Sequence, residues 1–247
     1  MVIVLYDFSS PRVSGTWAPS TWRARYFLNY KGIPYRTEWI ENADVDANAI
    51  RNDIPPNGNN PDGSPKYTLP SIHDTSTGAK VTDSLAIADY LEKTYPDAPT
   101  IFPGNTRATQ GALEFPASIT THSFALPYIM GGFISSRSEH KIRSIMEPML
   151  GKRIEDLLPA GEERVKQWEA FKDRIGQMNA WFEESDVKGP FVLGDVLSWA
   201  DIVAASQLRY FKAIWGAGSE EWQGLETWHG GRWKNLIDAL EKYETAV

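Results

Sequence analysis

The residues best suited to chemistry in this 247-residue chain lie in two short segments. Tyr67-Thr-Leu-Pro-Ser-Ile-His73 contains the pair Leu69-Pro70, and ten residues after it Asp83-Ser84 opens a helical pattern. A cis X–Pro bond ahead of a strand would turn the N–H and C=O of Leu69 outward, where an extended peptide can pair with them as an added strand. Asp83-Ser84 reads first as a helix N-cap. It also reads as a binding site: free N–H groups and a hydroxyl at a helix start take a carboxylate, while the Asp83 carboxylate accepts hydrogen bonds from an ammonium group. A peptide with an α-amino and an α-carboxylate group on one carbon at its end, and a thiol further along, fits both segments.

Other chemistries are excluded by composition. There is no cysteine, so disulfides, thiolate metal sites and a cysteine nucleophile are absent. His73, His122, His140 and His229 are scattered, and no His-x-x-x-His pair argues for a metal. No Walker loop, GxGxxG or nucleophile elbow is present. A net charge of −7 without a basic run argues against nucleic acid and against an anionic membrane surface. Met1-Val-Ile-Val-Leu-Tyr-Asp7 lacks a basic n-region and a long apolar run, and no 18-residue apolar stretch occurs, so the reading is a soluble cytoplasmic protein. Ten Trp, ten Tyr and ten Phe supply either an aromatic core or a surface for flat apolar ligands.

The elements that position these residues follow from periodicity. Val2–Leu5 reads as a buried strand, Thr21–Lys31 as a helix ended by Gly32 and Pro34, and Tyr35–Ile40 as a second strand. Ala43–Arg51 reads as a short helix, and the Pro-, Gly- and Asn-rich stretch from Ile54 to Lys66 as irregular. Residues 68–73 and 79–82 form a hairpin, followed by an amphipathic helix over Ser84–Tyr95. This order, β-α-β-(α)-β-β-α, is that of a thioredoxin-like unit, assigned to residues 1–97. Asp97–Gly104 reads as a linker. Residues 105–247 read as all-helical, with the clearest helices at Glu162–Ser185, Ser198–Ile214 and Trp233–Tyr243. The fold class is α/β plus all-α.

With both halves in view, the chain resembles a glutathione transferase. Leu69-Pro70 and Asp83-Ser84 match the thioredoxin-like domain of that family. Leu197-Ser-Trp-Ala-Asp201-Ile202 resembles its helix-capping segment, with Ser198 as N-cap, Asp201 as the acid of a capping box and Leu197 with Ile202 as a hydrophobic staple. Within the family, the segment from Ser9 to Tyr26 is similar to fungal-specific class A enzymes, relatives of bacterial lignin β-etherases associated with wood-derived aromatics. The zwitterionic peptide is then glutathione, γ-glutamyl-cysteinyl-glycine.

The resemblance implies a thiol site at the start of the first helix, where related classes carry a Ser or Cys that aligns with Ala18. Alanine donates nothing, so Ser20 and Thr21 become the catalytic candidates and Thr16 a third nearby hydroxyl. A helix N-terminus with a hydroxyl donor lowers a thiol pKa. The implied glutathione-binding set is Thr16, Trp17, Ser20, Lys66, Leu69, Pro70, Asp83 and Ser84, with Trp39 and Glu41 as weaker candidates. Trp17, Phe124, Tyr128, Phe133, Tyr210 and Trp215 are candidates for an aromatic-ligand pocket. The expected function is transfer of glutathione to aromatic compounds by conjugation, peroxidase or ether-cleaving chemistry; the alternative is a non-catalytic ligandin holding polyphenols. The partners implied are glutathione and small aromatic ligands, with no nucleic acid, membrane or metal, in a homodimer.

Overall fold

A computed structural model describes residues 2–112, 127–184 and 187–245. They divide into two compact units: Met1–Ile101 together with Leu240–Val247, and Phe102–Ala239.

The first unit is built on a four-stranded sheet in the order β2-β1-β3-β4. Strand β1 (Ile3–Phe8) is central, parallel to β2 (Tyr35–Ile40) and antiparallel to β3 (Ser71–Asp74), which pairs with β4 (Lys80–Thr82). Ile3, Val4, Leu5 and Tyr6 are all buried, as a strand covered on both faces requires. Val4 and Tyr6 pack with Val45, Ala49, Ile54 and Leu69 on the side of helix α2 (Val45–Arg51). The alternate residues Ile3 and Leu5 point to the opposite face, where helices α1 (Pro19–Lys31) and α3 (Ser84–Thr94) pack on one another. Gly32 ends α1 at φ 65°, a left-handed conformation that costs glycine little.

Ile54–Lys66 is outside helix and strand but not unpaired: Asn57 N–H donates to Lys66 O at 2.7 Å and Lys66 N–H to Gly58 O at 3.0 Å, closing a small hairpin. The tip of the β3–β4 turn is pinned by Asp74, which is fully buried. Its carboxylate accepts from Ser76 N–H and Oγ, Tyr90 OH and Tyr95 OH at 2.6–2.9 Å. Burial alone would raise this carboxyl; the hydrogen bonds from Ser76, Tyr95 and Tyr90 outweigh it and hold it at about 2. A folded pKa below the unfolded one gives stability that is present above the unfolded value and lost as pH falls through the folded one. We therefore expect Asp74→Asn to cost about 2 kcal/mol at neutral pH and almost nothing at pH 2. Urea titrations at pH 7, 4 and 2 would read this, and an equal cost at all three would refute it.

Among the described residues of the second unit the helices are α4 (Arg107–Ala112), α5 (Ser136–Leu150), α6 (Gly161–Glu183), α7 (Trp199–Trp215) and α8 (Glu220–Leu240). The capping box forms as the sequence predicts. Ser198 N–H and Oγ both donate to Asp201 Oδ2, at 2.9 and 2.6 Å, and Leu197 and Ile202 are buried beside it. Helix α8 is interrupted at Trp228–Gly231, where the backbone leaves the helical region and His229, Gly230 and Gly231 take positive φ. Among the described residues the second unit has only isolated bridges and no named strand.

The helix expected at Trp233–Tyr243 forms, as the second half of α8 with a closing 3-10 turn at Glu241–Tyr243. One sequence expectation is corrected. The all-helical region does not run to the end of the chain: from Leu240 the chain belongs to the first unit, because Asn29 Nδ2 donates to Tyr243 O at 2.7 Å and Tyr26 OH to the Glu244 carboxylate at 2.8 Å.

Candidate functional site

Three pieces of main chain in the first unit meet at the start of α1. Helix α1 begins with Ala18 as N-cap and Pro19 at the first helical position; its first-turn hydrogen bond runs from Trp22 N–H to Ala18 O at 3.1 Å. The N–H groups of Ser20 and Thr21 therefore precede the helical ladder, and the first turn holds no acidic residue to neutralise them. Beside this end lies the Leu69–Pro70 bond, which is cis. Ser20 Oγ donates to Leu69 O at 3.1 Å and joins the two. Pro70 O in turn accepts from Asp83 N–H at 3.2 Å, which brings in the start of α3. Leu69, Ser20, Asp83 and Ser84 are thus assembled in one place.

Asp83 occupies an unusual backbone position, φ 86° and ψ 133°. Positive φ is costly for a residue with a side chain and persists where the surroundings enforce it, a recurrent feature of functional sites. Its Oδ1 accepts from Leu85 N–H at 2.9 Å and Ala86 N–H at 3.1 Å. Its other oxygen has no hydrogen-bond partner among the described residues. Ser84 is buried directly behind it.

The remaining candidates fall in different places. Thr21 is fully buried and donates to Ala18 O at 3.0 Å, so its hydroxyl is turned into the helix and away from solvent. Thr16 is half-buried, and its hydroxyl is used twice: it donates to Asp7 Oδ2 at 2.5 Å and accepts from Arg25 Nε at 2.6 Å. Trp17 is buried, 5.9 Å from the Phe8 ring. Lys66 is exposed and makes no ion pair among the described residues. Trp39 is partly exposed and lies 5.3 Å from the Arg25 guanidinium.

The Asp7–Arg25 ion pair, 3.0 Å long and fully buried, has no counterpart in the sequence reading. A signal existed. Asp7 closes an apolar strand and Arg25 interrupts the apolar run Ala24-Arg25-Tyr26-Phe27-Leu28, and charges embedded in buried segments must find each other.

The second unit contains a cavity of about 270 Å³ lined by Tyr128, Leu158, Pro159, Ala160, Arg164, Trp168, Trp215 and Glu221. Trp168 and Trp215 are in edge contact at 5.7 Å, and Trp215 stacks on Phe211 at 4.7 Å and 9°. Arg164 and Glu221 form an ion pair at its edge. Of the aromatic candidates, Tyr128 and Trp215 line this cavity. Phe133 and Tyr210 do not: both are packed in the core, and burial raises the Tyr210 phenol. Phe124 lies outside the described residues. Trp168, which sequence reasoning passed over, has the same helical spacing as a core residue and gave no separate signal. A larger cavity of about 420 Å³, between Lys31–Pro34 and Thr94–Ala98, includes none of the candidate residues. Among the described residues no group of His, Cys, Asp or Glu could hold a metal ion.

Against known families, residues 17–94 match the glutathione S-transferase N-terminal domain and residues 120–243 the glutathione S-transferase C-terminal domain. The chain belongs to the glutathione S-transferase family. Among solved glutathione S-transferases, one from Ceriporiopsis subvermispora, crystallised in complex with glutathione, is 37% identical over 100% of this chain and 99% of its own, with a TM-score of 0.93. GSTFuA3 from Phanerochaete chrysosporium is 34% identical over 100% of this chain and 99% of its own, with a TM-score of 0.90. The glutathione S-transferase-like protein ustS of Aspergillus flavus is 29% identical over 241 residues, 89% of this chain and 85% of that protein. These three relatives are fungal, in line with the class that the Ser9–Tyr26 segment resembles. No helix among the described residues is long and apolar enough to cross a membrane.

Proposed function

We propose that the chain binds glutathione in the first unit and transfers it to electrophilic aromatic compounds. The observation that carries this reading is the link from Ser20 Oγ through the Leu69 carbonyl and Pro70 to Asp83, which puts a peptide-pairing edge, a helix start and a carboxylate within one hydrogen-bonded set. The cysteinyl main chain of glutathione pairs with Leu69. Its γ-glutamyl ammonium docks on the open Asp83 oxygen, and its γ-glutamyl α-carboxylate on the Ser84 N–H and hydroxyl, since the Leu85 and Ala86 N–H groups are held by Asp83 Oδ1. The sulfur then lies toward the start of α1. There the Ser20 and Thr21 N–H groups favour the thiolate, and the Ser20 hydroxyl, which donates to Leu69 O, assists once it turns from that carbonyl to the sulfur. Lowering a thiol from about 8.5 by one to two units takes about 1.4–2.7 kcal/mol of preferential stabilisation of the anion. The thiolate attacks the electrophilic carbon, the leaving group departs with the bond pair, and the thiol proton goes to solvent. Lys66, exposed and unpaired with any acid, is available to the glycine carboxylate.

Calorimetry with glutathione tests this. We expect saturable binding in the micromolar to low millimolar range, and no heat from the tripeptide would overturn the reading. A second reading, a ligandin for polyphenols, is favoured by two observations: Ala18 lacks a hydroxyl at the family's usual catalytic position, and the cavity of Tyr128, Trp168 and Trp215 suits a flat ring. Conjugation, peroxide reduction and ether cleavage all near background, together with tight flavonoid quenching of tryptophan fluorescence, would select it. Under either reading we place the protein in the cytoplasm as a homodimer, which sedimentation would test.

A further inference from the structure

The loop that leads into α1 is held by polar groups for which the glutathione reading has no use. Arg25, fully buried, donates from Nε to Thr16 Oγ1 at 2.6 Å, from Nη1 to Tyr35 OH at 3.1 Å, and from Nη2 to Asp7 Oδ2 and Thr37 Oγ1, both at 3.0 Å. A buried guanidinium is tolerable only when its donors are satisfied in this way, so its partners are fixed in place. One of them, Thr16, stands two residues before the N-cap Ala18. The next two residues, Trp17 and Ala18, are buried, so the position of Thr16 is passed on to the helix start.

The network continues in the other direction. Tyr35 OH, which accepts from Arg25, donates to the main-chain carbonyl of Thr245 at 3.2 Å. Asn29 Nδ2 donates to Thr245 O at 3.0 Å and to Tyr243 O at 2.7 Å. The Tyr243 ring stands edge-on against Tyr30 at 5.5 Å. A segment more than two hundred residues away in sequence thus reaches the β1–α1 loop through one phenol and one guanidinium.

We propose that the C-terminal segment Tyr243–Thr245 braces the thiol end of the glutathione site, acting through Tyr35, Arg25 and Thr16. The proposal rests on the glutathione reading above. Thr16, a binding candidate on the sequence, has its hydroxyl taken up by Asp7 and Arg25, so it is here, like Tyr35 and Arg25, a positioning residue and not a contact of the tripeptide. Tyr35 is the joint, because a single oxygen serves both sides. When the brace loosens, the N–H groups at the start of α1 move relative to the sulfur, whereas the Leu69 and Asp83 contacts hold the rest of the tripeptide. Misplacement by about 1 Å is enough to cost up to about a hundredfold in rate, so a small slackening is readable.

The test uses the full chain with Tyr35→Phe, Asn29→Leu, Thr16→Val and the double variant Tyr35→Phe/Thr16→Val. Three quantities are read: affinity for S-methylglutathione by calorimetry, the pKa of bound glutathione from thiolate absorbance, and the melting temperature. We expect S-methylglutathione affinity to stay within about twofold, and the bound thiol to titrate about half a unit or more higher in each single variant, a change of about threefold in ionisation at fixed pH. The double variant should shift no further than the larger single one, because both substitutions interrupt the same route. A merely structural role would lower the melting temperature and leave the thiol where it is. Tyr35→Phe and Asn29→Leu keep the Arg25–Asp7 pair, so the test stands even if Thr16→Val fails to fold. Normal S-methylglutathione binding with an unmoved thiol in both of these variants overturns the brace alone. No S-methylglutathione binding by the unsubstituted protein overturns the glutathione reading and the brace with it.

Discussion

Asp83→Asn is expected to weaken glutathione binding by about tenfold or more while leaving the fold nearly as stable, since a charge-assisted hydrogen bond is worth about 1.5–3 kcal/mol and a neutral amide cannot replace it. The reasoning turns on the division of labour between the two carboxylate oxygens. Oδ1 is occupied by the N–H groups of Leu85 and Ala86, and an asparagine carbonyl does that work as well. The other oxygen is the one offered to an ammonium group. Asp83→Ala removes both functions and adds a cap loss of about 1 kcal/mol. Asp83→Gly separates them differently: glycine accepts φ 86° without strain, so it recovers backbone stability while losing the ligand. Calorimetry and urea melts on the three variants would show binding and stability moving independently. If Asp83→Asn bound glutathione as tightly as the unsubstituted protein, the carboxylate would be a helix cap and nothing more.

Much of this site was legible in the sequence because it is local. The Leu69-Pro70 pair, the Asp83-Ser84 helix start, the strand at Tyr35–Ile40 and the helix stop at Gly32 each depend on residues a few positions apart, and the structure places all of them as expected. What failed to show depends on distant partners or on which way a helix faces. A hydroxyl two or three residues from a helix cap can reach a neighbouring segment like Ser20 or turn back into the helix like Thr21, and sequence does not distinguish them. Phe133 and Tyr210 are core while Tyr128 and Trp215 line a cavity, because an aromatic residue type marks an apolar position and not what covers it. Arg25 was passed over because long cations are usually exposed. The return of Tyr243–Thr245 to the first unit rests largely on main-chain carbonyls, which carry no sequence signature, and on the Glu244 and Tyr243 side chains, whose partners are more than two hundred residues away. Helix α5 does carry an apolar stripe, Ile142, Ile145, Met146, Met149 and Leu150, but Pro148 falls inside it and argues against a continuous helix on sequence alone, and Ile145, Met149 and Leu150 are exposed.

The largest stability effect is expected at Asp201. Three donors converge on its buried carboxylate: Val192 N–H at 2.7 Å, Ser198 N–H at 2.9 Å and Ser198 Oγ at 2.6 Å. Asp201→Ala would remove the acceptor of two buried Ser198 donors and of the half-buried Val192 N–H at the head of α7, the helix that carries Trp199, Ile202, Leu208 and Phe211 into the core. Each stranded donor costs about 1–3 kcal/mol, so a loss of at least about 3 kcal/mol is expected, a large share of a typical domain's stability. Ser198→Ala removes one donor to the carboxylate and the acceptor of the Asp201 N–H, and should cost about 1 kcal/mol. Burial pushes the Asp201 carboxyl up to about 6 even though Ser198 and Val192 pull it back. An acid whose folded pKa lies above its unfolded value makes the fold bind the extra proton, so stability falls as pH rises from about 4 to 6 and is level above that. The unsubstituted protein should therefore gain stability between pH 7 and pH 5, before the loss of Asp74 takes over at lower pH. Asp201→Asn, which cannot titrate, should show no such gain. Urea melts at pH 7 and pH 5 decide the point: a gain of equal size in Asp201→Asn would assign the pH dependence to other groups and leave Asp201 charged at both values.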